Sequence, residues 1–271
     1  MGRGQLRFCL LIAAACVVAH AVASDASAPP AATARCGPYA LVHVSGLVPK
    51  AGGTLTLVDG RDRRVFEIRE RQVNVERCED VTGDDQPELI VSTFSGGQRC
   101  CTTFHVLALG PPVRTLLRWE AGYESDLEST DFADATRAKE LAGRDDRLSF
   151  FGGLPATAAP TLPIVFCYER SAFVECTRRF DDPLLVELAE SRQALTDEKD
   201  AARRQAAGLS ALVLSIMLDE EAAGWTWLRE LAADVVPWLN ERRAALTACL
   251  QTSAMAPRDE RLARCAAKEP K

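Results

Sequence analysis

Between Asp80 and Glu88 the sequence DVTGDDQPE places an oxygen-bearing group at every second position. Asp80, Thr82 and Asp84 alternate, Gln86 can offer its backbone carbonyl, and Glu88 brings a carboxylate at the ninth position. A tight loop with oxygens at positions 1, 3, 5, 7 and 9 can wrap a hard cation such as Ca2+, with ligand distances of about 2.4 Å. Position 12, where an EF-hand carries its bidentate glutamate, is Val91, and the run that follows (ELIVSTF) reads as a strand. The expectation is therefore a structural calcium loop of another kind, with Asp80, Thr82, Asp84, Gln86 and Glu88 as its metal ligands. The competing reading is an Asp-rich turn closed by Asx hydrogen bonds.

The loop and the strand after it resemble the calcium loop of FG-GAP/VCBS-type repeats, the blade units of integrin-alpha-like β-propellers. The family pattern is Asp-x-Asn/Asp-x-Asp-Gly-x-x-Asp/Glu-Leu. Asp80, Asp84, Glu88 and Leu89 match it, Thr82 replaces Asn or Asp, and Asp85 replaces the glycine. Asp tolerates positive φ better than most residues. The continuation FSGGQRCCTT resembles a segment of secreted bacterial proteins that carry such loops, and the match covers roughly residues 76 to 108. The resemblance implies blade-like β hairpins and says little about activity. A degenerate second copy aligns Glu140-Leu141 with Glu88-Leu89 and puts Phe132 at the leading position, so it is expected to bind no metal.

Catalytic signatures are weak. The sequence has no GxSxG elbow and no phosphate-binding glycine loop. His43 and His105 read as structural histidines within strands. The acid pairs Asp145-Asp146 and Asp181-Asp182 are of the type a glycosidase uses, but adjacent acids in loops read first as solvated turns.

The elements that must hold these residues begin with an export signal. Arg3 and Arg7 precede an apolar stretch, Phe8 to Ala19, and Ala21-Val22-Ala23 supplies the small residues of a cleavage site. Residues 1–23 are thus a signal peptide and residues 24–35 a Pro-rich flexible linker, which makes the chain secreted or periplasmic with no transmembrane segment in the mature part. Lipidation at Cys16 is the lesser alternative, since Ala13 stands where a bulky aliphatic is usual. Cleavage removes Cys9 and Cys16 and leaves Cys36, Cys78, Cys100, Cys101, Cys167, Cys176, Cys249 and Cys265. An even number in an exported chain reads as a disulfide framework. Cys167 and Cys176 flank Ser171-Ala172 in a hairpin and should face one another across it. Cys249 and Cys265 should staple the helical tail. Adjacent strand side chains point to opposite faces, so Cys100 and Cys101 are expected to reach Cys36 and Cys78 rather than each other.

The fold class expected is α+β. Residues 36–180 carry short apolar runs punctuated by Gly, Pro and Asp, the mark of an antiparallel β domain of propeller-blade-like hairpins. The interval from Glu120 to Ala142 reads as a loop with a short helical turn. Residues 181–271 read as an α-helical bundle of three or four helices. Asp182-Pro183 is a start signal, Leu184, Leu185, Leu188 and Leu195 follow with helical spacing, and Gly208 and Gly224 separate the segments. Val236 to Leu246 is the last long helix, and Arg242-Arg243 a solvated face. With 38 acidic against 32 basic residues, a net charge of −6 disfavours a nucleic-acid partner. The reading is a non-enzymatic binding or envelope-associated protein with a protein or glycan partner. The alternative is a secreted hydrolase using acidic residues near the loop.

Overall fold

The computed structural model describes residues 34–44, 52–96, 102–122, 125–132 and 136–266. The leader, most of the linker, Cys100 and Cys101 lie outside them. Among these residues twelve strands form three four-stranded antiparallel sheets, each a meander in which sequential strands are neighbours. The first contains β1 (Ala34–Cys36), β2 (Tyr39–Val44), β3 (Gly53–Val58) and β4 (Arg64–Glu70). The second contains β5 (Gln72–Glu79), β6 (Glu88–Phe94), β7 (Thr102–Ala108) and β8 (Arg114–Gly122). The third contains β9 (Leu127–Thr130), β10 (Glu140–Asp145), β11 (Leu162–Glu169) and β12 (Ala172–Glu175).

Strand β6, inside the second sheet, is buried on both faces, which explains why it reads as a continuous apolar run instead of an alternating one. Leu89 and Val91 pack with Leu41, Leu55 and Leu57 of the first sheet. Ile90, a residue out of phase with them, packs with Leu141, Ile164 and Phe166 of the third. Trp119 on β8 anchors that second layer. Its ring stacks on Phe104 at 5.9 Å and meets the edge of Phe166 at 5.1 Å.

Six α-helices follow among the described residues: α1 (Asp181–Asp197), α2 (Ala201–Met217), α3 (Glu221–Leu231), α4 (Val236–Glu241), α5 (Arg243–Leu250) and α6 (Arg258–Cys265). Their core is shared with the β region, since Leu148, Phe151, Leu154 and Leu162 pack with Leu209, Leu228 and Leu239. None of the described helices is long and apolar enough to cross a membrane.

The α+β class is present, with differences in detail. No closed barrel or propeller is seen among the described residues. The interval 120–142 holds β9, an edge strand of only four residues, too short to show a period. Helix α1 starts at Asp181 with Phe180 as its N-cap and no side-chain cap, so Pro183 sits two positions further into the first turn than expected. Leu185 is exposed although its neighbours Leu184 and Leu188 are buried. Gly208 and Gly224 lie inside helices. A Cβ at Gly208 would meet Val235 at 2.8 Å, and one at Gly224 would meet Ser215 at 2.7 Å. These glycines mark close helix packing, not breaks. The expected last long helix is two, divided at Arg242. Arg242 and Arg243 are not a free solvated face, because their guanidinium groups lie 5.1 Å over Trp238 and 5.3 Å over Trp225.

The cysteine framework is also revised. Cys36 is bonded to Cys78, so neither pairs with Cys100 or Cys101 as expected. The reason is topological: Cys36 ends β1 beside the Cys78–Leu89 rung of the second sheet, and its Sγ also lies 3.8 Å from the Glu88 carbonyl. Cys167–Cys176 and Cys249–Cys265 form as anticipated. The β11–β12 turn, however, is Arg170-Ser171, both at positive φ. The register therefore sets Cys167 opposite Val174, and Cys176 lies just past the strand, its N–H bonded to the Val165 carbonyl.

Candidate functional site

The 80–88 segment is the loop joining β5 to β6, whose last ladder pair is Glu79 with Glu88. Its carboxylates are turned inward upon the loop's own backbone. Asp80 accepts from Gly83 N–H at 2.7 Å through Oδ1 and from Asp85 N–H at 2.8 Å through Oδ2. Asp84 Oδ1 accepts from Gln86 N–H at 2.9 Å. Glu88, almost fully buried, accepts from Val81 N–H at 3.0 Å and Thr82 N–H at 3.2 Å. Asp85 has φ 65°, consistent with its standing where the family pattern has glycine. Gly83 is required for a different reason: at φ 77° it approaches the Arg137 backbone so closely that a Cβ would sit 2.6 Å away.

Loss of solvent, followed by the nearby Asp84 and Asp80 charges, raises the Glu88 pKa, and the two donated N–H bonds offset part of that rise. Thr82 Oγ1 is buried with no hydrogen-bond partner. Gln86 is exposed. Among the described residues no group of three or more His, Cys, Asp or Glu side chains is placed to hold a metal ion. As it stands the loop is an Asx-closed turn braced on the 137–139 segment, through Lys139 N–H to the Val81 carbonyl and an exposed Arg137–Asp85 pair. Glu140, like Glu88, begins a strand, is buried, and accepts a loop N–H, that of Phe132 at 3.0 Å.

Both histidines are built into the sheets. His43 Nε2 lies 2.7 Å from the Val73 carbonyl. The His105 ring lies 3.5 Å from Thr93 Oγ1, and burial together with Arg118 lowers its pKa to about 4. A polar cleft of about 410 Å3 between the second and third sheets gathers Glu76, Arg77, Asp126 and Glu128. In it Glu76 accepts from Ser92 Oγ at 2.5 Å.

Sequence reasoning missed the deepest charge cluster. Asp145 and Asp146 are not a solvated turn: both are buried, with Arg147, Arg258 and Arg261. Asp145 takes Arg147 Nε at 2.5 Å and Arg261 Nη1 at 2.9 Å. Asp146 takes Arg258 Nε at 3.0 Å and Nη2 at 2.6 Å. Arg261 also donates to the Glu120 carbonyl, and Arg258 N–H to the Glu120 carboxylate at 2.9 Å. The available signal was the pair of arginines three apart in RDERLARC, which fall on one helical face. No family model, curated protein or solved structure matches the chain.

Proposed function

We propose that the protein is an exported, disulfide-stabilised module that binds a protein or glycan partner and has no catalytic role of its own. The observation that carries this reading is the set of three disulfides, Cys36–Cys78, Cys167–Cys176 and Cys249–Cys265, because such bonds persist in oxidising compartments. The basic start, apolar run and small-residue site of the first 23 residues support the same address. The three meanders support an FG-GAP/VCBS-like relationship of blade units. Phe150, 53% exposed at φ 68°, is the kind of strained surface aromatic that serves recognition.

The calcium part of the reading rests on Thr82 Oγ1, an orphaned buried oxygen, and on the mutual repulsion of Asp80, Asp84 and Glu88, which a divalent ion would relieve. Each carboxylate oxygen that accepts one N–H keeps a second lone pair for a cation.

Expression of the full chain in an exporting bacterium tests the address. The expected product starts at Ser24 and has no free thiol; a cytoplasmic product with Met1 intact and reduced cysteines would sink the proposal. Calorimetry and thermal melts with millimolar calcium test the loop. Glu88→Gln keeps the acceptor for Val81 and Thr82 but removes the disfavoured charge. It should melt no lower than the parent without calcium and show no calcium response. Absence of any response in the parent removes the metal.

A further inference from the structure

A cleft of about 200 Å3 opens where α2, α3 and α5 meet the 3-10 turn that follows β12. Leu212 and Leu246, both buried, and Ile216 and Leu250, half-buried, form its apolar depth. Arg178 and Arg243 are exposed at its edge. Arg243 is already engaged, stacked over Trp225 and paired with Glu221 at 2.5 Å. Arg178 is held only by Asp219 at 3.4 Å, a side chain 88% exposed, and such a pair contributes little in water. The lining residues therefore sum to one positive charge, that of Arg178, which its exposed Asp219 partner holds only loosely, above an apolar floor in a chain whose net charge is −6. An apolar recess with a few convergent polar groups, sited where two structural regions meet, is the usual form of a small-molecule site.

We infer that this cleft binds a small amphipathic monocarboxylate, its apolar chain lying on Leu212, Ile216, Leu246 and Leu250 and its carboxylate on the Arg178 guanidinium. One net charge matches a monoanion, and the planar fork of arginine matches a carboxylate. The small volume sets an upper limit on chain length. This site is separate from the 80–88 loop, and its failure leaves the export reading intact, since that rests on the disulfides and the leader.

Titration calorimetry of the mature protein with hexanoate, octanoate and octylammonium tests the inference. Each buried methylene is worth roughly a fourfold gain in affinity, so octanoate, longer by two methylenes, should bind roughly fifteenfold tighter than hexanoate. Octylammonium should give no saturable heat. Arg178→Gln, at an exposed position, should keep the parent circular dichroism and weaken octanoate about tenfold or more. Thr247→Trp, which places bulk at the cleft, should abolish binding. The inference is overturned by the absence of saturable octanoate binding, by equal binding of octylammonium, or by parent-like affinity in either variant.

Discussion

Arg261 is the residue whose environment leaves it least freedom. Its side chain is 0% exposed, and it faces Asp145, 1% exposed, at 2.9 Å. Buried charges gain little net stability from their pairing, but removing one leaves the others unbalanced in low dielectric. Without Arg261, Asp145 keeps only the buried Arg147 at 2.5 Å. Arg261→Ala is therefore expected to lower the unfolding free energy by about 3 kcal/mol in urea titrations, and a loss below about 1 kcal/mol would show that Arg147 alone satisfies the carboxylate. His105 offers a pH test. Its folded value of about 4 lies below the ordinary 6.5, so between these values the unfolded chain binds more protons. Its contribution to stability is complete above about 6.5, is lost as the pH falls, and reaches a floor below about 4. Ring-proton NMR should find it neutral at pH 5.5, and a midpoint near 6.5 would contradict the buried placement.

At the scale of elements, the helices illustrate what local sequence conceals. A helix-interior glycine costs roughly 1 kcal/mol relative to alanine, yet α2 keeps Gly208 at its most buried stretch. The gain is the close approach of Val235. Gly208→Ala should recover that propensity and lose about 1–3 kcal/mol to overpacking. A net destabilisation that Val235→Ala relieves in the double variant is the expected pattern in thermal melts. Strand β6 was legible, since ELIVSTF reads as one, and so was the β11–β12 hairpin that holds Cys167. The turn at Arg170-Ser171 was not, because neither residue signals positive φ; moving the turn by one residue moves the partner of Cys167 by two, from Cys176 to Val174. The 80–88 loop was legible as a loop ahead of a strand, with Asp85 correctly expected to tolerate positive φ. What sequence spacing could not show is that its oxygens already accept backbone N–H groups. Nor could spacing show that Asp145 and Asp146, polar in any local window, are covered by a helix more than a hundred residues later.

Among the described residues the disulfides stay within the β region or within the helical region, and none joins one to the other. Cys36–Cys78 joins the first and second sheets, Cys167–Cys176 closes the last hairpin, and Cys249–Cys265 links α5 to α6. In the loop-entropy account, sequence separations of 42, 16 and 9 residues correspond to about 4, about 3 and about 2.5 kcal/mol. Paired Cys→Ser variants should follow that order in chemical denaturation. A larger loss for Cys249/Cys265 than for Cys36/Cys78 would mean that the α6 staple also maintains the Asp145–Arg261 and Asp146–Arg258 contacts.

The attachment of α6 bears on the order in which the chain acquires its structure. Asp145 has Arg147 beside it, but the counter-ion for Asp146 comes from position 258, so a ribosome finishes the three sheets long before it delivers the charge that neutralises this carboxylate. Until then Asp146 must either stay hydrated or hold a proton. Under the proposed export, a chain that cannot close its sheets early would stay threadable through a translocation pore, and final closure would wait for the far side of the membrane, where the oxidant that joins Cys249 to Cys265 would reside.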